Sequence, residues 1–200
     1  MIYNEKTVSS KEVFSGRIIK VSVEEVELPN GETGQREIVN HPGGVGIVAV
    51  NNNDEIYLVE QFRKPLERAI YEIPAGKLDK GEAHRDCGIR ELKEDTAAEE
   101  PEDAPESTPE EETGLSASVF EYMGFIYPSP GFTDEVTHVY LAQGLSQGDD
   151  HPDEDEFLDV KKVPFSTAYN MVMTGEINDA KSVFGILKYD AIKRRRDNGE

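Results

Sequence analysis

Two hundred residues, 36% of them hydrophobic, suffice for one sizeable core and little more. The formal net charge of −20 disfavours nucleic-acid phosphates and anionic lipid as partners, because both call for a basic surface. No apolar run approaches the roughly 20 residues that cross a bilayer, the first residues lack the basic-then-apolar order of a secretory leader, and the single Cys87 excludes an internal disulfide, so a cytoplasmic protein with no membrane partner is expected.

Along the chain, residues 17–26 are rich in Ile and Val, Asn30-Gly31 is a turn signal, and residues 35–40 complete a hairpin. After His41-Pro42-Gly43-Gly44, residues 45–50 and 55–62 read as strands joined through Asn51-Asn52-Asn53-Asp54. A helix is expected over about 83–100, with Cys87 an ordinary side chain on it, then strands at 119–125 and 136–142 and helices at 166–173 and 180–193. Strands with helices packed on their faces predict an α+β or α/β sandwich rather than a bundle. The basic run at 193–196 follows Val183, Ile186, Leu187 and Ala191 in helical spacing, and reads as a helix C-terminus whose cations suit the macrodipole.

Residues 95–112 differ in kind: acids, prolines, alanines, a serine and threonines, with no basic and no large apolar residue. Such a stretch cannot bury enough surface to offset the entropy of ordering, so a mobile, solvated excursion is expected, although Ala97-Ala98-Glu99-Glu100 at its start favours helix. Immediately before it, Glu91, Glu94 and Asp95 stand at i, i+3 and i+4, which puts three carboxylates on one helix face. That spacing alone describes either a solvated acidic face or a cation site. The preceding Glu72-Ile73-Pro74-Ala75-Gly76-Lys77 favours the cation site, because its glycine lets backbone approach an ion or phosphate closely, and hard oxygen ligands suit Mg2+ or Mn2+.

Gly76, five residues, Glu82, seven residues and then Arg90-Glu91-Leu92-Lys93-Glu94 resembles the first part of the Nudix box. The resemblance to Nudix hydrolases implies an α+β fold, a Nudix-type α/β/α sandwich with a mixed sheet over residues 41–200, preceded by an N-terminal antiparallel strand region at 1–40 that pairs in a homodimer. It further implies metal-dependent hydrolysis of a diphosphate, with Glu91, Glu94 and the Ala75 carbonyl as ligands and with Gly76, Glu82 and Arg90 supporting the loop and helix. The family's usual ending, Glu-Glu-Thr-Gly-Leu, is split: Glu94 is followed by Asp95-Thr96, and Glu111-Glu112-Thr113-Gly114-Leu115 comes only after an acidic insertion at about 95–111. An unbroken helix gives the third carboxylate position to Asp95; a helix ending at Glu94 gives it to Glu112.

Tyr127-Pro128-Ser129-Pro130-Gly131-Phe132, with Pro130 fifteen residues beyond Leu115, resembles the ADP-sugar pyrophosphatase branch, which implies hydrolysis of ADP-ribose to AMP and ribose 5-phosphate. On that resemblance Arg36, Arg63, Glu72, Pro130 and Glu135 bind substrate, Arg63 as a phosphate contact, and Arg36 or Phe14 contributes to the adenine site of a second subunit. Attack by water needs a proton acceptor, for which Glu154 is expected, with Glu156 the alternative or a further ligand. The competing readings are hydrolysis of another nucleoside diphosphate sugar or dinucleotide, and a non-catalytic nucleotide-sugar binder disabled by the insertion.

Overall fold

The structure, a computed structural model, describes residues 4–96, 115–147 and 159–199. Two compact units are present, one of residues 1–43 and 127–136, the other of residues 44–126 and 137–200.

The first unit is an antiparallel three-stranded sheet of β1 (Lys6–Ser15), β2 (Lys20–Glu27) and β3 (Thr33–Asn40), in that order. Its hairpin closes where the turn signal predicts, with Glu27 opposite Thr33 and Gly31 at φ 82°, a left-handed conformation that glycine adopts without a Cβ penalty. Strand β1 escapes sequence reading because its apolar positions, Val8, Val13 and Phe14, follow no period of two. Residues 127–136 join this sheet through Val39, whose N–H donates to the Phe132 carbonyl and whose carbonyl accepts from the Asp134 N–H.

The second unit has a mixed four-stranded sheet ordered β7 (Ala75–Lys77), β4 (Gly44–Ala49), β9 (Thr137–Gln147), β8 (Leu115–Ile126), with β4 and β9 parallel. A second, antiparallel sheet is ordered β10 (Asp159–Pro164), β5 (Glu55–Arg63), β6 (Arg68–Glu72). All six residues of β4 are buried, as a strand covered on both faces requires. On one face Val45, Ile47 and Ala49 pack with Cys87 and Leu92 of helix α1 (His84–Glu94). On the other, Val48, Val139 and Leu141 pack with Ile186 of α3 (Ala180–Asp197) and with Phe165 and Ala168 of α2 (Phe165–Thr174). A Cβ on Gly185 would lie 2.6 Å from Val48, so glycine there sets how closely α3 approaches the sheet. Each fully buried Ile or Leu in these layers contributes about 1.5–3 kcal/mol. The layering of helix, sheet and helix matches the sandwich expected from the sequence. Among the described residues no helix is long and apolar enough to cross a membrane.

Helix α1 is shorter than the 83–100 expected. It stops at Glu94, and Asp95 caps it while keeping a right-handed helical conformation (φ −69°, ψ −11°) and donating its N–H to the Glu91 carbonyl at 2.9 Å. The solvated excursion expected at 95–112 falls mostly outside the described residues, but both of its anchors are in view. The Thr96 hydroxyl donates to the Leu92 carbonyl and accepts from the Leu115 N–H at 2.9 Å. A threonine oxygen ordinarily captures the N–H of the residue two positions on. Leu115 thus sits where a chain running Thr96-Gly-Leu would put it.

Deleting residues 97–113 joins Thr96 to Gly114 and keeps Leu115 at that position. The shortened chain is expected to retain the far-ultraviolet circular dichroism of the intact one and to melt within about 5 °C of it or higher, since a shorter loop costs less closure entropy. Melting lower by more than about 10 °C would contradict the seating of Leu115 on Thr96.

Candidate active site

The site is built on the segment from β6 through β7 to α1. Ile73 and Pro74 break the strand between β6 and β7, and three contacts fix the break: Ile73 N–H donates to Ser182 Oγ at 2.9 Å, Ile47 N–H to the Pro74 carbonyl at 2.8 Å, and Ala75 N–H to Asp95 Oδ2 at 2.5 Å. Asp95 is thereby drawn back onto the loop and is only 5% exposed. The following turn is closed reciprocally, Asp79 N–H donating to Glu82 Oε2 at 2.9 Å and Glu82 N–H to the Asp79 carbonyl at 3.0 Å.

Arg90 ties this loop to the helix. Its Nη1 donates to Glu91 Oε1 and Glu94 Oε2, both at 2.7 Å, while Nε and Nη2 meet the Glu82 carboxylate at 3.1 and 3.0 Å, and Nη2 reaches the Lys77 carbonyl at 3.3 Å. Hydrogen bonding from Arg90 outweighs desolvation and holds the Glu82 carboxyl down at about 2. The Arg90 guanidinium is shifted up in turn, by Glu82 first. Burial, with the charges of Glu91 and Glu82, pushes the Cys87 thiol up to about 12, so it stays protonated and serves as an ordinary packed side chain.

Gly76 provides the close approach. A Cβ there would fall 1.8 Å from the Glu91 carboxyl carbon, so only glycine lets that carboxylate lie against the β7 backbone. Glu91, Glu94, Asp95 and the backbone at Ala75 form a set of hard oxygen donors on one loop and one helix end, chemically suited to a divalent cation. Among the described residues no three acids are gathered closely enough to enclose an ion, and both glutamates are turned onto Arg90.

Beside this lies a second charged group. Glu72, 2% exposed, accepts from Arg63 Nε at 2.7 Å and Nη2 at 2.6 Å and from Lys181 Nζ. Burial pushes its pKa up, but the Arg63 hydrogen bonds and the Lys181 charge prevail and leave it below the ordinary value. Sequence reading reached Arg63 and Glu72 but missed Lys181, Asp179 and Ser182. The one local signal was an aspartate ahead of a helical period, the pattern of an N-cap; Glu72 stands 109 residues from Lys181, beyond any local spacing.

The remaining residues singled out by sequence divide between the units. Arg36 lies in the first, where its Nη2 meets Glu5 Oε1 at 2.5 Å and its Nε meets Oε2 at 2.8 Å. Pro130 and Glu135 are in the same unit, Pro130 within a turn in which the Ser129 carbonyl accepts from Phe132 and Thr133, Glu135 with its carboxylate 3.8 Å from His41 Nδ1. Glu112, Glu154 and Glu156 lie outside the described residues. The basic run at the end of α3 is engaged within the chain: Lys193 pairs with Asp54, Arg194 with Asp190, and Arg196 with Glu121.

A glycine loop feeding a helix whose acids face that loop, in a helix-sheet-helix sandwich, is compatible with metal-assisted chemistry on phosphate esters and anhydrides. Comparison with known proteins agrees. Residues 40–108 match the NUDIX domain and residues 5–39 the nucleoside diphosphate sugar hydrolase N-terminal domain. The chain is 45% identical over 184 residues to an ADP-ribose pyrophosphatase of Bacillus subtilis, covering 91% of this chain and 90% of that one. It is 42% identical over 187 residues to a methanol dehydrogenase activator of Bacillus methanolicus, covering 92% of each. A crystal structure of an ADP compounds hydrolase shares the fold, with a TM-score of 0.76 at 18% identity over 98% of this chain and 96% of that one. The chain belongs to the Nudix hydrolase family, whose members generally work with a divalent metal ion.

Gly76→Ala separates the site from the fold. The three atoms nearest the added methyl all belong to the movable end of Glu91, so the melting temperature is expected to fall by no more than about 5 °C. Hydrolytic activity is expected to drop at least about 100-fold as the carboxylate is displaced, since a 1 Å misplacement suffices for that. Activity within about threefold of the parent would contradict the close seating of Glu91 on the loop.

Proposed function

We propose that this chain hydrolyses ADP-ribose to AMP and ribose 5-phosphate with Mg2+, for which Mn2+ can substitute. The observation that carries the reading is Glu91 and Glu94 gathered by Arg90 beside the Ala75-Gly76 loop, with Asp95 bonded back to that loop, in a relative of an ADP-ribose pyrophosphatase.

Glu91, Glu94, Asp95 and the Ala75 carbonyl would hold the ion, which when bound would neutralise the diphosphate and acidify the attacking water. Although α1 ends at Glu94, Asp95 is preferred over Glu112 as third carboxylate because as C-cap it keeps the right-handed helical conformation, bonds back to the Ala75 loop, and is followed by Thr96 on which Leu115 is seated. Arg63 binds a phosphate oxygen through the guanidinium edge that Glu72 leaves open, and Glu72 acts on substrate by fixing Arg63. Glu82 and Arg90 keep the loop and helix in register. Glu154 takes the proton of water as its oxygen attacks phosphorus and the bond to the bridging oxygen breaks; Glu156 is the alternative. Pro130 and Glu135 bind substrate, and Arg36 or Phe14 contributes to the adenine site of a second subunit.

Residues 1–40 form the pairing region of a homodimer and residues 41–200 the hydrolase domain. The pairing is supported by β1, which is exposed along its whole length and leaves Val8, Val13 and Phe14 at 57%, 52% and 54% exposure. The single, reduced Cys87 supports a cytoplasmic site of action. Similarity to the methanol dehydrogenase activator supports a second reading, in which the chain acts on a dehydrogenase; it requires that adding the chain raise the rate of a methanol dehydrogenase.

The test is AMP release from ADP-ribose with Mg2+. The intact chain is expected to be active, to lose activity on chelation, and to lose at least about 1000-fold on Glu91→Gln, the scale of removing a group that stabilises transition-state charge. Full activity of Glu91→Gln, or an inactive intact chain beside an active 97–113 deletion, would overturn the reading.

A further inference from the structure

We infer that Lys181, at the start of α3, is a positioning residue for substrate, setting through Glu72 how strongly and in what pose Arg63 holds the diphosphate; this rests on the phosphate-binding role proposed for Arg63.

Arg63 presents its Nε and Nη2 to the two oxygens of Glu72 at 2.7 and 2.6 Å, which locks the plane of the guanidinium and leaves Nη1 without a hydrogen-bond partner among the described residues. A guanidinium paired one-to-one with a buried carboxylate is largely neutralised, and attracts a phosphate poorly. Here the pairing is not one-to-one. Lys181 Nζ bonds the same carboxylate at Oε2, so two cations share one anion. Arg63 is the more exposed of the two cations, at 38% of its side chain against 16% for Lys181, so Arg63 is the one able to meet a ligand.

Lys181 is itself held by Asp179, whose Oδ1 accepts from Lys181 Nζ at 3.0 Å and, as the N-cap of α3, from the N–H groups of Lys181 and Ser182 at 3.2 and 3.3 Å. Asp179 Oδ2 is buried and has no hydrogen-bond partner among the described residues. The charges of Asp179 and Asp95 both reach Arg63. Arg63, Glu72, Lys181 and Asp179 sum to zero, with Asp95 a further negative charge outside the group, and removing Lys181 or Asp179 changes the field at Arg63 in opposite senses. The same turn of α3 also anchors the backbone, through the Ile73 N–H bond to Ser182 Oγ at 2.9 Å, which ties the start of α3 to the segment leading into the glycine loop.

The sign of the response separates this role from simple support of the fold. Lys181→Met leaves the group at −1 and is expected to raise KM for ADP-ribose about tenfold with kcat within about threefold, the pattern of lost uniform binding. Asp179→Asn leaves it at +1 while keeping a good N-cap, and is expected to lower KM. Lys181→Arg should restore the parent KM, and in an Arg63→Met background Lys181→Met should add nothing further. Loss of structural support would instead weaken both single variants alike. The inference is overturned if Lys181→Met and Asp179→Asn shift KM in the same direction, if neither shifts it, or if the Lys181 and Arg63 effects multiply; in each case turnover by the intact chain leaves the hydrolase reading standing. If the intact chain shows no turnover, that reading falls, and the same variants are compared by calorimetric ADP-ribose binding, where opposite shifts in Kd sustain the inference and parallel or absent shifts, including no binding by the intact chain, end it.

Discussion

The constraint on which the site depends is the mutual repulsion of its acids. Glu91 and Glu94 each place an oxygen 2.7 Å from the same Arg90 nitrogen, so those oxygens are no more than twice that distance apart. At about 5 Å and an effective dielectric near 20, two such charges repel by roughly 3 kcal/mol, well above what helix propensity supplies at any one position. The guanidinium between them offsets that repulsion, and the same group reaches Glu82 and the Lys77 carbonyl across the loop. One side chain thus keeps like charges together on a helix end and binds that end to the loop against which they act. On the proposed reading, a divalent ion has to draw Glu91 and Glu94 away from Arg90, which holds them close together on the helix end.

The loop is held from its other side by α3. Ser182 takes the Ile73 N–H and Lys181 meets Glu72, while Asp95 at the end of α1 takes the Ala75 N–H. The start of α3 and the cap of α1, on opposite faces of the β4 sheet, therefore grip Glu72, Ile73 and Ala75 within one short segment. This is how a three-residue strand containing glycine, with little burial of its own, is given a defined backbone path.

Much of this was legible locally. Strand β4 announces itself as an apolar run, the β2–β3 hairpin through Asn30-Gly31, and the acids of α1 through their i, i+3, i+4 spacing, because each is written in neighbouring residues. What was missed is written elsewhere. Strand β10 carries Lys161 and Lys162 where apolar residues would signal a strand; they are accommodated over the rings of Tyr71 and Tyr57 at 4.8 and 5.7 Å, and Lys161 also bonds Glu60. Strand β7 is too short for any period, and helix α1 ended sooner than the Ala97–Glu100 propensity suggested. The Lys181–Glu72 pair depends on a chain reversal spanning most of the domain.

The most direct measurement of the central claim, that the Arg90-gathered acids form a cation site, is a Mn2+ titration followed by electron paramagnetic resonance. A chain of charge −20 takes up Mn2+ diffusely, so the comparison with Glu91→Gln is what decides. The intact chain should show a saturable class of tight sites that is absent from Glu91→Gln, over a weak background common to both. Superimposable titrations of the two proteins would contradict the claim.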